Sequence, residues 1–439
     1  MLRSPFAQIR ESTLFKTAVG SGSLKVVSAA VGFLSGVVLA RLLGLKEFGV
    51  YALAMAAINL AATVAALGLP SLVTREVSKY EAREQWGLLR GLVQTSHRWV
   101  AYGTVTVLGV TGGLVATGWV LPGLHWVMLL LAVLLTPLIA LNQLRSAILR
   151  GLHWVILADV PELLLRPLLM LLFVVSAFLW LGHANATLAI GFQLVAVSCG
   201  FFLGTRFLHA RIPQSVTEAE SSVLVRAWAR ETRPFFWITL VSLVEGQIGI
   251  YILGYLTGPK QVGLFQVANQ LVSPVIMGLM AVNMPLQPKL AAAWATGKKD
   301  EAQRLVTEAA KFSTAAAFTA ATILIPFAEI AVRIYGEQYL PAANVLRILI
   351  LGQLINAVSG PCGLVLAMTG HQKFVLHGLT AALIVNGLVN MALVPFFAAE
   401  GAAIAATAGL VVWNSLLVYW ALRLADMTTP IFRITATKG

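Results

Sequence analysis

The sequence predicts an all-α membrane protein whose chain crosses the bilayer many times. Hydrophobic residues occupy 58% of the 439 positions and charged residues only 11%, whereas soluble domains carry about a quarter charged residues. Apolar runs of about 20 residues or more recur along the whole chain. Runs of this length predict helices, because backbone groups in lipid need hydrogen-bond partners within their own segment. The short alternating strands of a membrane barrel are not found in the sequence.

Glycine, proline and charged residues divide the apolar runs into twelve predicted helices. The first six cover about 14–40, 48–69, 88–115, 124–149, 155–181 and 187–208. The second six cover about 235–256, 262–290, 305–334, 340–368, 374–397 and 402–422. This pattern predicts an N-terminal lobe over residues 1–209, a cytoplasmic linker over 210–233 and a C-terminal lobe over 234–439. Apolar Val223, Leu224, Ala227 and Trp228 lie among arginines in the linker and predict a short interfacial amphipathic helix there.

Basic residues concentrate in alternate connections between the predicted helices. One connection holds Arg75, Lys79, Arg83 and Arg90, and the next, at 116–124, holds no charged residue. This is the positive-inside pattern, and it places both termini in the cytoplasm. The net charge of +13 is therefore interpreted as a topology signal, and nucleic acid is not expected as a partner.

A short segment near the start of the chain is repeated in its second half. The segment 43–54, LGLKEFGVYALA, aligns with 257–268, TGPKQVGLFQVA, and both follow one apolar run and begin the next. The four identical pairs are Gly44 with Gly258, Lys46 with Lys260, Gly49 with Gly263 and Ala54 with Ala268. The repeat indicates two related lobes. Six helices per lobe is an even number, so a pseudo-two-fold axis along the membrane normal is expected to relate them.

The run ARLLGLKEFGVYALAMAAINLAATVAALGLPSLVTREVSKY, residues 40–80, resembles the first hairpin of the polysaccharide transport family. These are O-antigen-type oligosaccharide flippases of the multidrug/oligosaccharidyl-lipid/polysaccharide exporter superfamily. The resemblance implies two six-helix lobes in a V shape around a central cavity, lined by the first two helices of each lobe. It also implies an undecaprenyl-diphosphate-linked glycan as substrate, moved by alternating access from the cytoplasmic to the periplasmic leaflet of the bacterial inner membrane. A glycan polymerase and glycosyltransferases of the same pathway are the implied partners, beside the membrane lipids themselves.

Charged residues inside predicted helices are candidate site residues, because a charge at the centre of a membrane helix costs about 2.5–3.5 kcal/mol on insertion scales. Lys25 is expected to bind the substrate diphosphate, or else to snorkel to the interface. Glu245 has no basic residue one helical turn away, so it is expected to bind a coupling ion, H⁺ or Na⁺. The alternatives for Glu245 are a pair with Lys25 or a neutral carboxyl that only joins helices. Glu162 and Arg166 are four positions apart and are expected to pair with each other.

Further candidates for substrate binding follow from position. Arg75 and Lys289 come after Pro70 and Pro285 in matching places and are expected to meet the diphosphate, although ordinary positive-inside residues would look the same. Three asparagines, which either bind sugar hydroxyls or join helices, complete the set: Asn59, Asn269 and Asn283.

No catalytic motif, metal-ligand motif or cofactor-binding motif occurs, so no enzyme activity, metal or cofactor beyond a coupling ion is expected. Cys199 and Cys362 both lie in apolar segments, which does not support a disulfide or a thiolate site. Two alternatives stay open. A multidrug or metabolite extruder of the same fold would favour several cavity acids, and a glycan polymerase or ligase would need a large external loop.

Overall fold

The structure is a computed structural model that describes residues 5–117 and 126–430, with side chains from Leu24 onward except at Ala281. Every regular element in these ranges is a helix, and no strand occurs in them. The predicted all-α class is confirmed. The first half contains α1 Pro5–Ala65, α2 Leu69–Ala82, α3 Trp86–Ala116, α4 Trp126–Gly151, α5 Val155–Val160, a π-helical turn Pro161–Leu165, α6 Arg166–Leu181, α7 Ala186–Arg211 and α8 Gln214–Glu218.

The second half begins within one long helix that starts in the linker region. Its helices are α9 Val225–Leu256, α10 Pro259–Ala295, α11 Lys299–Leu324, α12 Ala328–Arg333, a 3₁₀ turn Glu337–Tyr339, α13 Ala342–Ser359, α14 Cys362–Met368 and α15 Gln372–Leu424. Nine helices in the described ranges are long and apolar enough to cross a membrane. The chain is therefore a multi-pass membrane protein.

Two of these nine helices are each interrupted by a kink. The path of α1 breaks at Gly44 (φ 77°, ψ 168°), and that of α15 breaks at Ala398 (φ 47°, ψ −123°). A further helix, α11, has 26 residues but a more polar sequence. When α1 and α15 are each divided at the kink and α11 is included, each of the twelve predicted helices has a helical counterpart in the structure. The number of membrane crossings stays a prediction.

The repeated turn has the same backbone conformation in both halves. Gly44 and Gly258 adopt φ 77°, ψ 168° and φ 86°, ψ 177°, respectively. This region of the backbone map is essentially restricted to glycine. The sequence repeat therefore corresponds to one local structure that occurs twice.

A second pair of repeated glycines lies where two helices cross. A Cβ atom on Gly49 would lie 1.7 Å from the carbonyl oxygen of Pro259, and one on Gly263 would lie 2.6 Å from that of Leu45. Leu45 and Pro259 are equivalent positions of the repeat, so the two contacts are reciprocal. Any side chain at either glycine would force the helices apart.

The chain folds as two compact units. The first contains residues 1–43 and 54–240, and the second contains 44–53 and 241–439. The predicted division at residues 209 and 233 stays a prediction.

In the first unit, α4 packs against α2 and α7. The contact between α2 and α4 includes Val77, which is fully buried and lies close to Gly151. It is also held by Ser78, whose hydroxyl donates to the carbonyl of Gly151 at 2.7 Å. The packing against α4 thus fixes the position of α2 and the direction of its polar side chains.

The start of α9 is anchored to α2. Trp228 is 1% exposed, and its indole nitrogen donates to the hydroxyl of Tyr80 at 2.9 Å. One turn later Glu231 pairs with Arg75. The segment between α7 and α9 is tied as well, since Arg90 donates to the carbonyls of Thr217 and Ala219 at 2.7 and 2.8 Å.

In the second unit, α10, α11, α13 and α15 form the main packing layers. Two fully buried tyrosines, Tyr335 and Tyr339, contact each other edge-on with ring centroids 6.2 Å apart. The ring of Phe48 packs edge-on against Tyr339 at 6.3 Å. Ten residues from α1 are in this way built into the core of the second unit.

Candidate functional site

The predicted site residues fall into two groups by unit. Lys25, Asn59 and Arg75 belong to the first unit, whereas Glu245, Asn269, Asn283 and Lys289 belong to the second. Their assignment as a site stays a prediction.

Lys25 and Lys289 are exposed lysines on long helices. Lys25 lies on α1, where its carbonyl accepts a hydrogen bond from the Ser28 hydroxyl at 2.9 Å. Lys289 lies on α10 directly after Pro288, one of three prolines inside that helix. Within residues 24–117 and 126–430, neither ammonium group forms an ion pair with a carboxylate.

Arg75 differs from the two lysines because protein groups already compensate its charge. Its guanidinium pairs with Glu231 and, at 3.1 Å, with Glu76. It also lies over the ring of Phe235, 5.4 Å from the centroid. A phosphate that binds Arg75 would have to compete with two carboxylates.

The Glu76 carboxyl at this junction is 3% exposed. Burial raises its pKa, but the hydrogen bond and charge of Lys79, the charge of Arg75 and the hydrogen bond of Tyr80 outweigh burial. The pKa of Glu76 therefore lies below its ordinary value of 4.5, and the carboxyl is ionised at neutral pH.

The three predicted asparagines are half-buried. Asn59 lies on α1, and Asn269 lies on α10, where its carbonyl accepts from Ser273 at 3.1 Å. The side-chain oxygen of Asn283 is buried and has no hydrogen-bond partner among the described residues. A buried amide oxygen without a partner is costly, which distinguishes Asn283 from the other two asparagines.

Glu245 lies half-buried on α9 and faces α15. Its Oε1 atom accepts a hydrogen bond from Nδ2 of Asn386 at 3.4 Å. Asn386 in turn accepts from Nδ2 of Asn390 at 2.7 Å. No arginine, lysine or histidine forms an ion pair with Glu245 in the part of the chain that the structure describes.

The two asparagines behind Glu245 are deeply buried. Asn386 is 3% exposed and Asn390 is fully buried, and the side-chain oxygen of Asn390 has no hydrogen-bond partner among described atoms. Carboxylate and amide oxygens are ligands that hard cations prefer. The cluster of Glu245, Asn386 and Asn390 is named the α9–α15 cluster.

Sequence reasoning identified Glu245 but missed Asn386 and Asn390. The signal was present, because two asparagines four positions apart in an apolar helix share one face. Their link to Glu245 could not be predicted, since 141 positions separate Glu245 from Asn386.

A second polar cluster, the α4–α7 cluster, lies in the first unit and consists of Arg145, Glu162, Arg166 and Gln193. Arg166 pairs with Glu162 at 3.3 Å, which confirms the predicted pair, and the Gln193 amide lies against Arg166. The fourth member, Arg145, is 2% exposed and donates to the carbonyl of Gly200 at 2.7 Å. Glu162 lies in the π-helical turn, a feature frequent at functional sites.

Comparison with known families decides where this arrangement belongs. The model of the family described as polysaccharide biosynthesis protein matches residues 16–293. The chain belongs to the polysaccharide biosynthesis protein family. A second family model, MatE, matches residues 234–393. No curated protein sequence matches the chain.

Solved structures similar to this family member are transporters. An inward-facing multidrug resistance MATE family transporter of the MOP superfamily has a TM-score of 0.71 at 14% identity, covering 93% of this chain and 98% of that one. The lipid II flippase MurJ in an inward closed conformation has a TM-score of 0.70 at 12% identity, covering 92% and 87%. A MOP superfamily transporter from Pyrococcus furiosus has a TM-score of 0.58 at 14% identity, covering 93% and 94%. At these identities the likeness establishes a shared fold.

Proposed function

We propose that this protein is a flippase that moves an undecaprenyl-diphosphate-linked oligosaccharide from the cytoplasmic to the periplasmic leaflet of the bacterial inner membrane. The observation that carries the proposal is the match of residues 16–293 to the polysaccharide biosynthesis family. The multi-pass helical fold, similar to that of a lipid II flippase, supports it. In this proposal both termini are cytoplasmic, and polymerase and glycosyltransferases of the same pathway consume and supply the substrate.

The proposed contacts to the substrate divide by chemistry. A diphosphate that enters a low-dielectric cavity needs compensating cations, and the exposed lysines Lys25 and Lys289 supply them without fixed geometry. Arg75 can bind the diphosphate only after its ion pair with Glu231 breaks. We therefore assign it to the first contact with the substrate, at the cytoplasmic entrance of the cavity. Sugar hydroxyls pair with the amides of Asn59, Asn269 and Asn283.

The α9–α15 cluster is proposed to bind the coupling ion, H⁺ or Na⁺. Glu245 supplies the negative charge and Asn386 holds its carboxyl in place. The free oxygen of Asn390 provides a further neutral ligand close by in the cluster. Binding of the ion neutralises a charge in the membrane, which favours a change of conformation.

A direct test measures transport of a lipid-linked glycan with the full-length protein in proteoliposomes. A fluorescent short-chain polyprenyl-diphosphate oligosaccharide is placed in the outer leaflet, and its transfer is followed with a membrane-impermeant quencher. Flipping is expected in vesicles with protein and a cation gradient, and Lys25→Ala together with Lys289→Ala should reduce the rate strongly. The exposed Lys373→Ala is the matched control and should leave the rate unchanged.

An exporter of small organic molecules is the second candidate. The MatE model match over residues 234–393 favours it. The same vesicles, loaded with a fluorescent organic cation, distinguish the two functions. Gradient-driven efflux of the cation without flipping of the glycan would replace the flippase proposal.

A further inference from the structure

A cavity of about 360 Å³ opens in the first unit between α3 and the start of α9. Its volume is near the lower end of the range for ligand pockets, about 300–1,000 Å³. Its walls are mainly apolar and aromatic and are formed by Leu67, Trp99, Tyr102, Ala229, Thr232, Arg233 and Phe236. None of the residues assigned to the substrate or to the coupling ion lines this cavity.

The α9 wall of the cavity is fixed in place. Ala229, Thr232, Arg233 and Phe236 share one face of α9 because they are spaced by three or four positions. This part of α9 is held by the bond from Trp228 to Tyr80 at 2.9 Å and by the pair of Glu231 with Arg75. The cavity is therefore a preformed feature of the first unit.

The cavity lies at a boundary between basic and apolar surface. Along α3, Arg98 is exposed just before the cavity residues, and Tyr102 and Val105, each 70% exposed, follow. On α9 the apolar side continues with Trp237, which is 56% exposed. Tryptophan and tyrosine are enriched where the hydrocarbon region meets the headgroups, and headgroup depth is what we expect for this cavity.

Exposed arginines lie on α9 at the cavity and next to it. Arg233 is exposed and lines it, and Arg226 and Arg230 lie on the same side of α9, seven and three positions earlier. Across residues 24–117 and 126–430 none of the three forms an ion pair, because Glu231, the acid among them, is bound to Arg75. An apolar slot with an uncompensated cationic rim is complementary to a molecule with a hydrocarbon chain and an anionic head.

We infer that this cavity binds an anionic phospholipid, with one acyl chain between Trp99 and Phe236 and its phosphate on Arg233, supported by Arg230 and Arg226. Basic pockets between membrane helices are known to hold anionic headgroups. The small volume fits a segment of one chain and not the bulk of a long polyprenyl tail. The bound lipid bridges α3 and the start of α9, which both line the cavity.

The binding experiment uses Trp99 as a reporter within the cavity wall. Full-length protein in nanodiscs of phosphatidylcholine receives increasing fractions of phosphatidylglycerol with dibrominated acyl chains, which quench tryptophan on contact. The part of the quenching that disappears in Trp99→Phe measures occupancy of the cavity. Saturable quenching is expected with brominated phosphatidylglycerol, and only weak quenching with brominated phosphatidylcholine.

Two variants separate the headgroup from the chain. Arg233→Gln should weaken binding about fivefold, the effect of one basic residue near an anionic surface. Arg206→Gln, an exposed arginine of the same unit outside the cavity, is the matched control and should bind like the parent protein. Ala229→Phe fills the cavity and should abolish the Trp99 quenching while leaving the charges unchanged.

Several results would overturn the inference. These are equal quenching by both lipids, equal binding by Arg233→Gln and Arg206→Gln, or undiminished quenching in Ala229→Phe. Quenching by a brominated polyprenyl diphosphate but not by phosphatidylglycerol would assign the cavity to the transported substrate and would also refute it. If Ala229→Phe does not fold, the comparison of Arg233→Gln with Arg206→Gln decides whether the inference holds. Arg233→Gln is expected to fold because the side chain of Arg233 is exposed.

Discussion

The two units compensate a carboxyl group inside a membrane helix in different ways. In the first unit, Glu162 pairs with Arg166 at 3.3 Å, and Arg145 bonds to backbone carbonyls nearby. In the second, Glu245 meets only the amide of Asn386, at 3.4 Å, among the described side chains. A carboxyl group neutralised by the protein itself has no need of a mobile cation. In the proposed function, the carboxyl group that faces amides, Glu245, binds the coupling cation reversibly.

The largest expected effect comes from removing the buried charge of the α4–α7 cluster. Arg145→Met removes the side-chain hydrogen bond to the carbonyl of Gly200 and leaves the cluster with one cation fewer. Loss of one partner from a buried charged network costs about 3–5 kcal/mol. Thermal unfolding in detergent should show a large fall in melting temperature for Arg145→Met. The melting temperature of Arg145→Lys should lie between those of Arg145→Met and the parent protein. An unchanged melting temperature would show that the cluster does not support the fold.

The second prediction removes the charge of Glu245 in the second unit. Glu245→Gln keeps the shape of the side chain but removes the charge that would attract a cation, so the gradient-driven flipping rate should fall roughly 100-fold, or about 2.7 kcal/mol. The melting temperature should change little. Glu308→Gln, an exposed glutamate of the same unit paired with Arg304, is the control. Full gradient-dependent flipping by Glu245→Gln would assign Glu245 to helix packing alone.

A reciprocal substitution in the first unit sharpens the contrast. Glu162→Gln removes the partner of Arg166, and because both side chains are 26% exposed, the loss of stability should be moderate, about 1–2 kcal/mol. The dependence of flipping on the cation gradient should be unchanged. A shift in that dependence would mean that the π-helical turn also takes part in coupling.

The smallest expected effect concerns a compensated carboxyl outside the candidate membrane spans. The pKa of Glu76 is lowered in the folded protein, so its contribution is complete above the unfolded pKa and is lost as pH falls through the lower folded value. With half-exposed partners, Glu76→Gln should cost about 1 kcal/mol at neutral pH. The difference in melting temperature from the parent protein should shrink on acidification below about pH 4. A difference that is constant with pH would contradict this account.

Local signals in the sequence predicted much of the fold. The apolar runs predicted the helices, and the repeated segment, which indicated two related lobes, has the same backbone conformation at Gly44 and Gly258. The pair of Glu162 and Arg166 was accessible because four positions are one helical turn. Each of these features depends on residues that are close in sequence or on a direct internal match.

Features set by contacts between distant segments were not accessible. The sequence places Arg145 among the basic residues near the end of a helix, yet the structure buries it against carbonyls of α7, 55 positions away. The partnership of Glu245 with Asn386 and the cavity between α3 and α9 depend likewise on packing. Periodicity shows which residues share a face, but not which face of another helix they meet.

The reciprocal crossing at Gly49 and Gly263 has a consequence for how the chain can be divided. Residues 44–53 are part of the second unit. A cut in the connector after α8 would therefore leave these ten residues on the N-terminal fragment, separated from the rest of the second unit. Neither fragment would then contain a complete hydrophobic core. Function after such a cut is expected only when both fragments are synthesised together and reassociate through the close backbone contacts at Gly49 and Gly263.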